Sequence, residues 1–94
     1  MIDVPQWVDV ARARECGLTD RMQDILVHLA RGMTYAQTGQ ALHLAEDTIR
    51  AHVWRMLVLV SARNATEAVA LAYDCGVLRT AVEREWRARM GLVA

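Results

Sequence analysis

The stretch Thr34–Leu57, TYAQTGQALHLAEDTIRAHVWRML, decides how the rest of the chain is read. Thr34 followed three residues later by Gln37 is a capping-box arrangement, which opens a helix running to about Leu42. His43 and Leu44 make a turn. A second helix begins near Ala45 or Glu46 and places Ile49, Val53, Met56, Leu57 and Val60 on one face, with Asp47, Arg50, Ala51, Trp54 and Val58 on the other. The pattern is a short helix, a tight turn and a longer helix. An apolar tryptophan on the polar side of that longer helix is the feature that any functional reading has to explain.

Working outward, Met22, Ile25, Leu26 and Leu29 recur at helical spacing after Thr19, with Asp20 near the positive end and Arg31 and Gly32 closing the segment; this predicts a helix over 20–31. Before it, Val4, Trp7, Val8 and Ala11 predict one short leading helix that ends by Gly17. After the SARN break, Asn64 and Glu67 read as a second capping box for a helix that ends at Gly76. The last segment, RTAVEREWRARM, places Val82 and Trp86 on one stripe with either Arg89 or Met90 and reads as an amphipathic helix. No strand-like alternation, internal repeat or low-complexity tract is present. The chain is expected to be all-α.

Composition narrows the function classes. At 94 residues the chain makes one small domain of marginal stability, so a partner matters. No apolar run approaches the roughly 18 to 20 residues of a membrane span, and no secretory leader is visible, which predicts a cytoplasmic protein with no membrane partner. Cys16 and Cys75 lie far apart and read as ordinary buried or half-buried thiols. With His28, His43 and His52 they show no metal-ligand spacing, and no cofactor is expected. The sequence shows no nucleophile motif, phosphate-binding glycine loop or paired carboxylates, so no enzymatic activity is expected. Net charge is zero, against the basic total usual for nucleic-acid binders. All 11 cations are arginine, which favours planar, bidentate contacts wherever they cluster.

Helix, turn and longer helix is the arithmetic of a helix-turn-helix, and further detail makes it specific. LT at 18–19, LARGMT at 29–34, L.LAEDTIRAHV within 42–53, ML at 56–57, RN at 63–64 and EAVALA at 67–72 together resemble the LuxR-type (GerE-type) DNA-binding domain of bacterial transcription regulators. The resemblance implies a four-helix domain over 15–79, flanked by a short N-terminal helix in 1–14 and an amphipathic C-terminal helix in 80–94. It implies a third helix, Glu46 to Val60, that reads the major groove of duplex DNA, with Ala36 to Leu42 supporting it. Thr48, Arg50, Ala51 and Trp54 match positions resembling the family's DNA-facing ones; Thr34 and Arg55 are further candidates for phosphate or base contact. The fourth helix commonly supplies the dimer contact in that family. Its small-residue face (Ala68, Ala72, Cys75), extended by Val82 and Trp86, is the expected homodimer interface.

Several positions depart from the family pattern. Thr38 and Gly39 stand where an aliphatic residue and alanine are usual, and glycine inside a helix costs about 1 kcal/mol, which predicts a loosened supporting helix. Ala45 replaces the usual hydroxyl cap, a loss of about 0.5 to 2 kcal/mol. Trp54, Val58 and Leu59 replace polar or basic residues. The chain is thus expected to be a stand-alone, dimeric regulator that binds duplex DNA. The alternative is an interaction module whose Trp54/Val58/Leu59 surface docks on RNA polymerase, a sigma factor or another regulator.

Overall fold

Helix starts in this chain are set mainly by side-chain oxygens that accept the otherwise unpaired amides of a first turn. The computed structural model describes residues 3–92. Among the described residues seven helices follow one another: α1 (Val4–Trp7), α2 (Val10–Glu15), α3 (Asp20–Ala30), α4 (Tyr35–Leu42), α5 (Glu46–Val60), α6 (Ala65–Asp74) and α7 (Ala81–Arg89). The Thr19 hydroxyl accepts from the Met22 amide at 3.1 Å and the Thr80 hydroxyl from the Glu83 amide at 3.1 Å. Thr34 and Gln37 form the full capping box: Gln37 N–H donates to the Thr34 hydroxyl (3.1 Å), and Thr34 N–H donates to the Gln37 amide oxygen (2.9 Å). The fold is all-α, with α3 to α6 as its four-helix centre.

Two apolar clusters meet on α3. Ile25 joins Ile49 and Val53 of α5, while Met22, Leu26 and Val27 join Met56, Ala72, Val77 and Leu78. Accordingly α3 packs against α1, α4, α5 and α6. Burying each such aliphatic side chain stabilises the fold by about 1.5 to 3 kcal/mol. Three of them, Ile49, Val53 and Met56, hold α5, so the core outweighs the cap that Ala45 does not provide.

Four expectations are corrected. The leading segment is two helices, broken at Val8 and Asp9, because backbone pairing with a distant strand-like stretch competes with helix continuation. Val8 forms an isolated antiparallel bridge with Leu78; Asp9 N–H donates to Val77 O (2.9 Å), and Arg79 N–H donates to Trp7 O (2.8 Å). The Asp9 side chain then caps α2 by accepting from Arg12 N–H at 3.1 Å. Ala13, rather than Ala11, is the buried alanine of this segment, and with Val8 it belongs to the same cluster as Leu18 and Leu26. Val8 and Ala13 are therefore built into the core of the four-helix centre.

At the second capping site only half of the box forms. Asn64 accepts from the Glu67 amide (2.8 Å), but the Glu67 carboxylate turns to Arg63, taking its amide (3.0 Å) and its guanidinium (2.7 Å). The third correction concerns Cys16 and Cys75, which are exposed rather than buried. They are the C-terminal cap residues of α2 and α6, outside the packed faces.

The fourth correction reverses the reading of Thr38 and Gly39. Both are buried, and the Thr38 hydroxyl donates to Thr34 O at 2.8 Å, so it brings no unpaired polar group into the core. A Cβ placed on Gly39 would lie 2.5 Å from the Leu44 carbonyl oxygen. Glycine is required there by the close approach of the turn, and the pair tightens the supporting helix instead of loosening it.

The C-terminal helix is held by arginines. Arg79 is buried, and its guanidinium donates to the carbonyls of Pro5 and Val8, the latter at 3.0 Å. Arg84 donates to Arg79 O (2.7 Å) and lies over the Trp7 ring, 3.5 Å from its centroid. Thus α7 docks on the N-terminal segment.

Candidate nucleic-acid interface

The geometry of the α4–α5 pair follows from its turn. His43 takes a left-handed conformation (φ 57°), and Leu44 N–H returns to Gly39 O at 2.8 Å. This closes α4 and sends the chain across Gly39 into α5. The Ile49 Cγ1 sits 3.6 Å from where a Gly39 Cβ would be, so the same glycine sets how closely α5 crosses α4.

On α5, Ile49, Val53 and Met56 are buried, which fixes the helix rotation. At 100° per residue, Asp47, Ala51, Trp54 and Val58 then share a stripe about 60° wide on the outward side. All four are exposed, Trp54 at 67% and Val58 at 64%. Arg50 borders the stripe on one side and Arg55 on the other, both exposed; Thr48 is half-buried. Thr34 stands at the start of α4 with its hydroxyl already engaged as the cap. The structure therefore brings Arg50, Ala51, Trp54 and Arg55 to one outward surface and gives Thr34 a structural duty as well.

Arg50 has two neighbours, neither of which the sequence analysis named. Its guanidinium is 3.5 Å from the Glu46 carboxylate and 5.2 Å from the centroid of the Tyr35 ring. The Glu46–Arg50 pair was signalled by its i, i+4 spacing. Tyr35 was not, because only the turn brings the start of α4 beneath the first turns of α5. Among the described residues Arg55 has no ion pair, so its charge is directly available. Glu46 and Asp47 sit in the first turn, where they favour the helix dipole but oppose an approaching phosphate.

The expected apolar surface does not hold together. Leu59 turns about 100° away from Val58 and lies beside Gly17, lining a groove of about 540 Å³ with Cys16, Leu18, Leu71 and Cys75. The expected dimer face is also divided. Ala68 and Ala72 are only 4% and 7% exposed, because the small-residue side of α6 already packs on Met56 and its neighbours in the chain's own core. Cys75 stays on the groove rim. Val82 and Trp86 are exposed on α7, which contributes nothing to that groove.

The arrangement is a helix-turn-helix with its second helix presented outward on a four-helix core. The chain belongs to the luxR family of bacterial regulatory proteins, whose family model matches residues 17–72, from the turn before α3 through most of α6. By that membership residues 17–72 are a helix-turn-helix domain of the kind found in bacterial regulatory proteins. It is 33% identical over 75 residues to the transcriptional activator protein SolR of Ralstonia solanacearum, in an alignment that takes in 80% of this chain and 30% of that protein. The chain thus spans about 30% of the length of that relative. No solved structure matches it. No helix among the described residues is long and apolar enough to cross a membrane.

Proposed function

We propose that the chain reads specific duplex DNA sequences through the outward stripe of α5 and acts as a two-fold pair, so that two such helices meet two half-sites. One observation carries this reading: the core rotates α5 so that Arg50, Ala51, Trp54 and Arg55 face away from the protein. Arg50 is the base reader. Its pair with Glu46 is between exposed groups one helical turn apart, worth about 0.3 to 0.5 kcal/mol, whereas a bidentate guanine contact discriminates by about 1 to 3 kcal/mol. Exchange of Glu46 for guanine is therefore favourable, and Tyr35 keeps the guanidinium from wandering in the meantime. Trp54 packs on a thymine methyl or sugar edge, giving apolar contact where charge would otherwise serve. Arg55 takes phosphate; Thr34 and Thr48 add hydroxyl contacts at the margin.

The test is a salt series on the wild type and two variants, using a site selected from random duplexes and a scrambled control. Arg50→Ala should cost about 1 to 3 kcal/mol on the selected site and relax one base position. Trp54→Ala should lower specificity and leave the salt slope unchanged, since no cation is removed. A folded wild type that binds no duplex at low salt refutes the reading. If Trp54→Ala spares DNA binding and abolishes capture of RNA polymerase, a sigma factor or another regulator, the docking reading replaces it.

A further inference from the structure

We propose that the outward face of α7 is a pairing surface for a second copy of this chain, the two α7 helices packing antiparallel across a two-fold axis at Trp86. The inference supplies the contact for the pair invoked above, and it rests on that reading only for its role on DNA.

Val82, Trp86 and Met90 are 77%, 53% and 60% exposed. At 100° per residue they form one stripe about 80° wide. The opposite side of the helix, at Arg84, is the side that faces Trp7 and the body of the protein. Three large apolar side chains thus lie largely in solvent on the side away from the fold.

The charges beside the stripe say what covers it. Glu83 and Arg87 lie on one flank, about 60° and 100° from Trp86; Arg89 and Glu85 lie on the other at the same angles. In an antiparallel two-fold pair each flank meets its own copy, running the opposite way. With a rise of 1.5 Å per residue, Glu83 then comes within about 3 Å along the axis of the second copy's Arg87, and Glu85 likewise of its Arg89. Four such opposite pairs form, against two like contacts at the same axial offset, Arg87 with the second copy's Arg87 and Glu85 with its Glu85, so attraction prevails. A parallel pair brings the two different flanks together instead, setting glutamates 83 and 85 against each other and arginines 87 and 89 against each other, with only Arg87 against Glu85 attractive, so repulsion prevails. The surface is self-complementary in one orientation and self-repelling in the other. The Glu85–Arg89 contact within one helix, at 2.5 Å, joins exposed groups and can be shared with a partner at little cost.

In that pair Trp86 stacks on its own copy, and Val82 meets Met90. A nine-residue helix is about 13.5 Å long, well short of what a standard stable interface covers, so the pairing dissociates on dilution and strengthens when two half-sites hold the chains together.

The experiment is sedimentation of the full chain, without DNA, from micromolar to millimolar concentration. A reversible monomer–dimer equilibrium is expected. Trp86→Ala should weaken it roughly thirtyfold and Glu83→Arg roughly tenfold, with helicity followed on each variant because Glu83 also sits in the first turn of α7. Combining Glu83→Arg with Arg87→Glu should restore pairing by exchanging the two charges. Orientation is read by disulfide formation in a chain carrying Cys16→Ser and Cys75→Ser. Chains with Val82→Cys and chains with Met90→Cys should cross-link when mixed and not alone. A chain monomeric at millimolar concentration, pairing indifferent to Trp86, or cross-linking of Val82→Cys with itself overturns the proposal. A Trp86→Glu monomer that still binds a single half-site separates loss of pairing from loss of DNA reading.

Discussion

Two helices of this chain carry an exposed tryptophan in an apolar stripe, and they are mounted in opposite ways. On α5, Trp54 lies between Ala51 and Val58 on a helix whose other side is fully buried through Ile49, Val53 and Met56. On α7, Trp86 lies between Val82 and Met90 on a helix with no buried residue, held by Arg84 over Trp7 and by the buried Arg79 beneath. The first stripe is bordered by Arg50 and Arg55 and is not self-complementary. The second has a glutamate followed by an arginine along each flank. Exposure alone does not distinguish the two surfaces; the pattern at their borders and the rigidity of their mounts do. A rigid helix suits the register that base reading demands, whereas a helix held by side-chain contacts tolerates the small adjustments of a pairing contact.

The largest effect that tests this contrast is expected from Gly39→Ala. Ordinary helix propensity makes that change favourable by about 1 kcal/mol. Here the new methyl meets the Leu44 carbonyl at 2.5 Å, a backbone atom that cannot swing aside, and forced overpacking costs about 1 to 3 kcal/mol. A drop in the denaturant midpoint, with loss of DNA binding in proportion, is the expected outcome. A gain in stability would show that the turn yields and that α5 is less rigidly mounted than its burial implies.

Arg84→Ala should cost less, about 1 kcal/mol, because it removes a ring contact and a hydrogen bond at a half-exposed site. Its signature is local. Amides of α7 should exchange faster with solvent while those of α5 stay protected. Equal loosening of both helices would mean that the two mounts are not independent. In the opposite direction, Ala45→Ser should raise stability by about 1 kcal/mol, since Ala45 already has the extended backbone of a cap (ψ 149°) and lacks only the oxygen. A calorimetric midpoint measures it.

What could be read ahead of the structure was local. The caps at Thr34 and Asn64, the α3 stripe and the inward face of α5 all depend on residues within one or two turns, and the four central helices follow from them. What could not be read depended on distant chain. The break at Val8 and Asp9 is set by Val77 to Arg79, some seventy positions away, so a continuous apolar spacing looked like one helix. Gly39 looked like a weakness because propensity counts the missing side chain and not the carbonyl that occupies its place. At the candidate interface, the outward set of Arg50, Ala51 and Trp54 was legible from helical periodicity, but the Tyr35 ring beside Arg50 was not. Ala68 and Ala72 were assigned to a partner for the same reason in reverse: small size permits close approach, and only the fold shows that the approaching surface is the chain's own core.

The smallest expected effect is acid sensitivity at the joint between α5 and α6. Hydrogen bonds from the Arg63 guanidinium, and then from its backbone amide, hold the Glu67 carboxyl below its ordinary value. A carboxyl depressed on folding contributes stability above its unfolded pKa and loses it as pH falls through the lower, folded value. Stability should therefore be flat near neutrality and decline only on entering the acid range, and Glu67→Gln should remove that part of the decline. Arg63 is exposed and Glu67 half-buried, so added salt should shrink the effect further. The joint touches α5 and α6 but not α7, which makes the location of the loss informative. Amide exchange measured across the acid range in wild type and Glu67→Gln should differ at residues 61–67 and agree over 81–89. A difference centred on α7 would mean that its mount is coupled to the reading helix after all, and that the two tryptophan stripes answer to one another rather than separately.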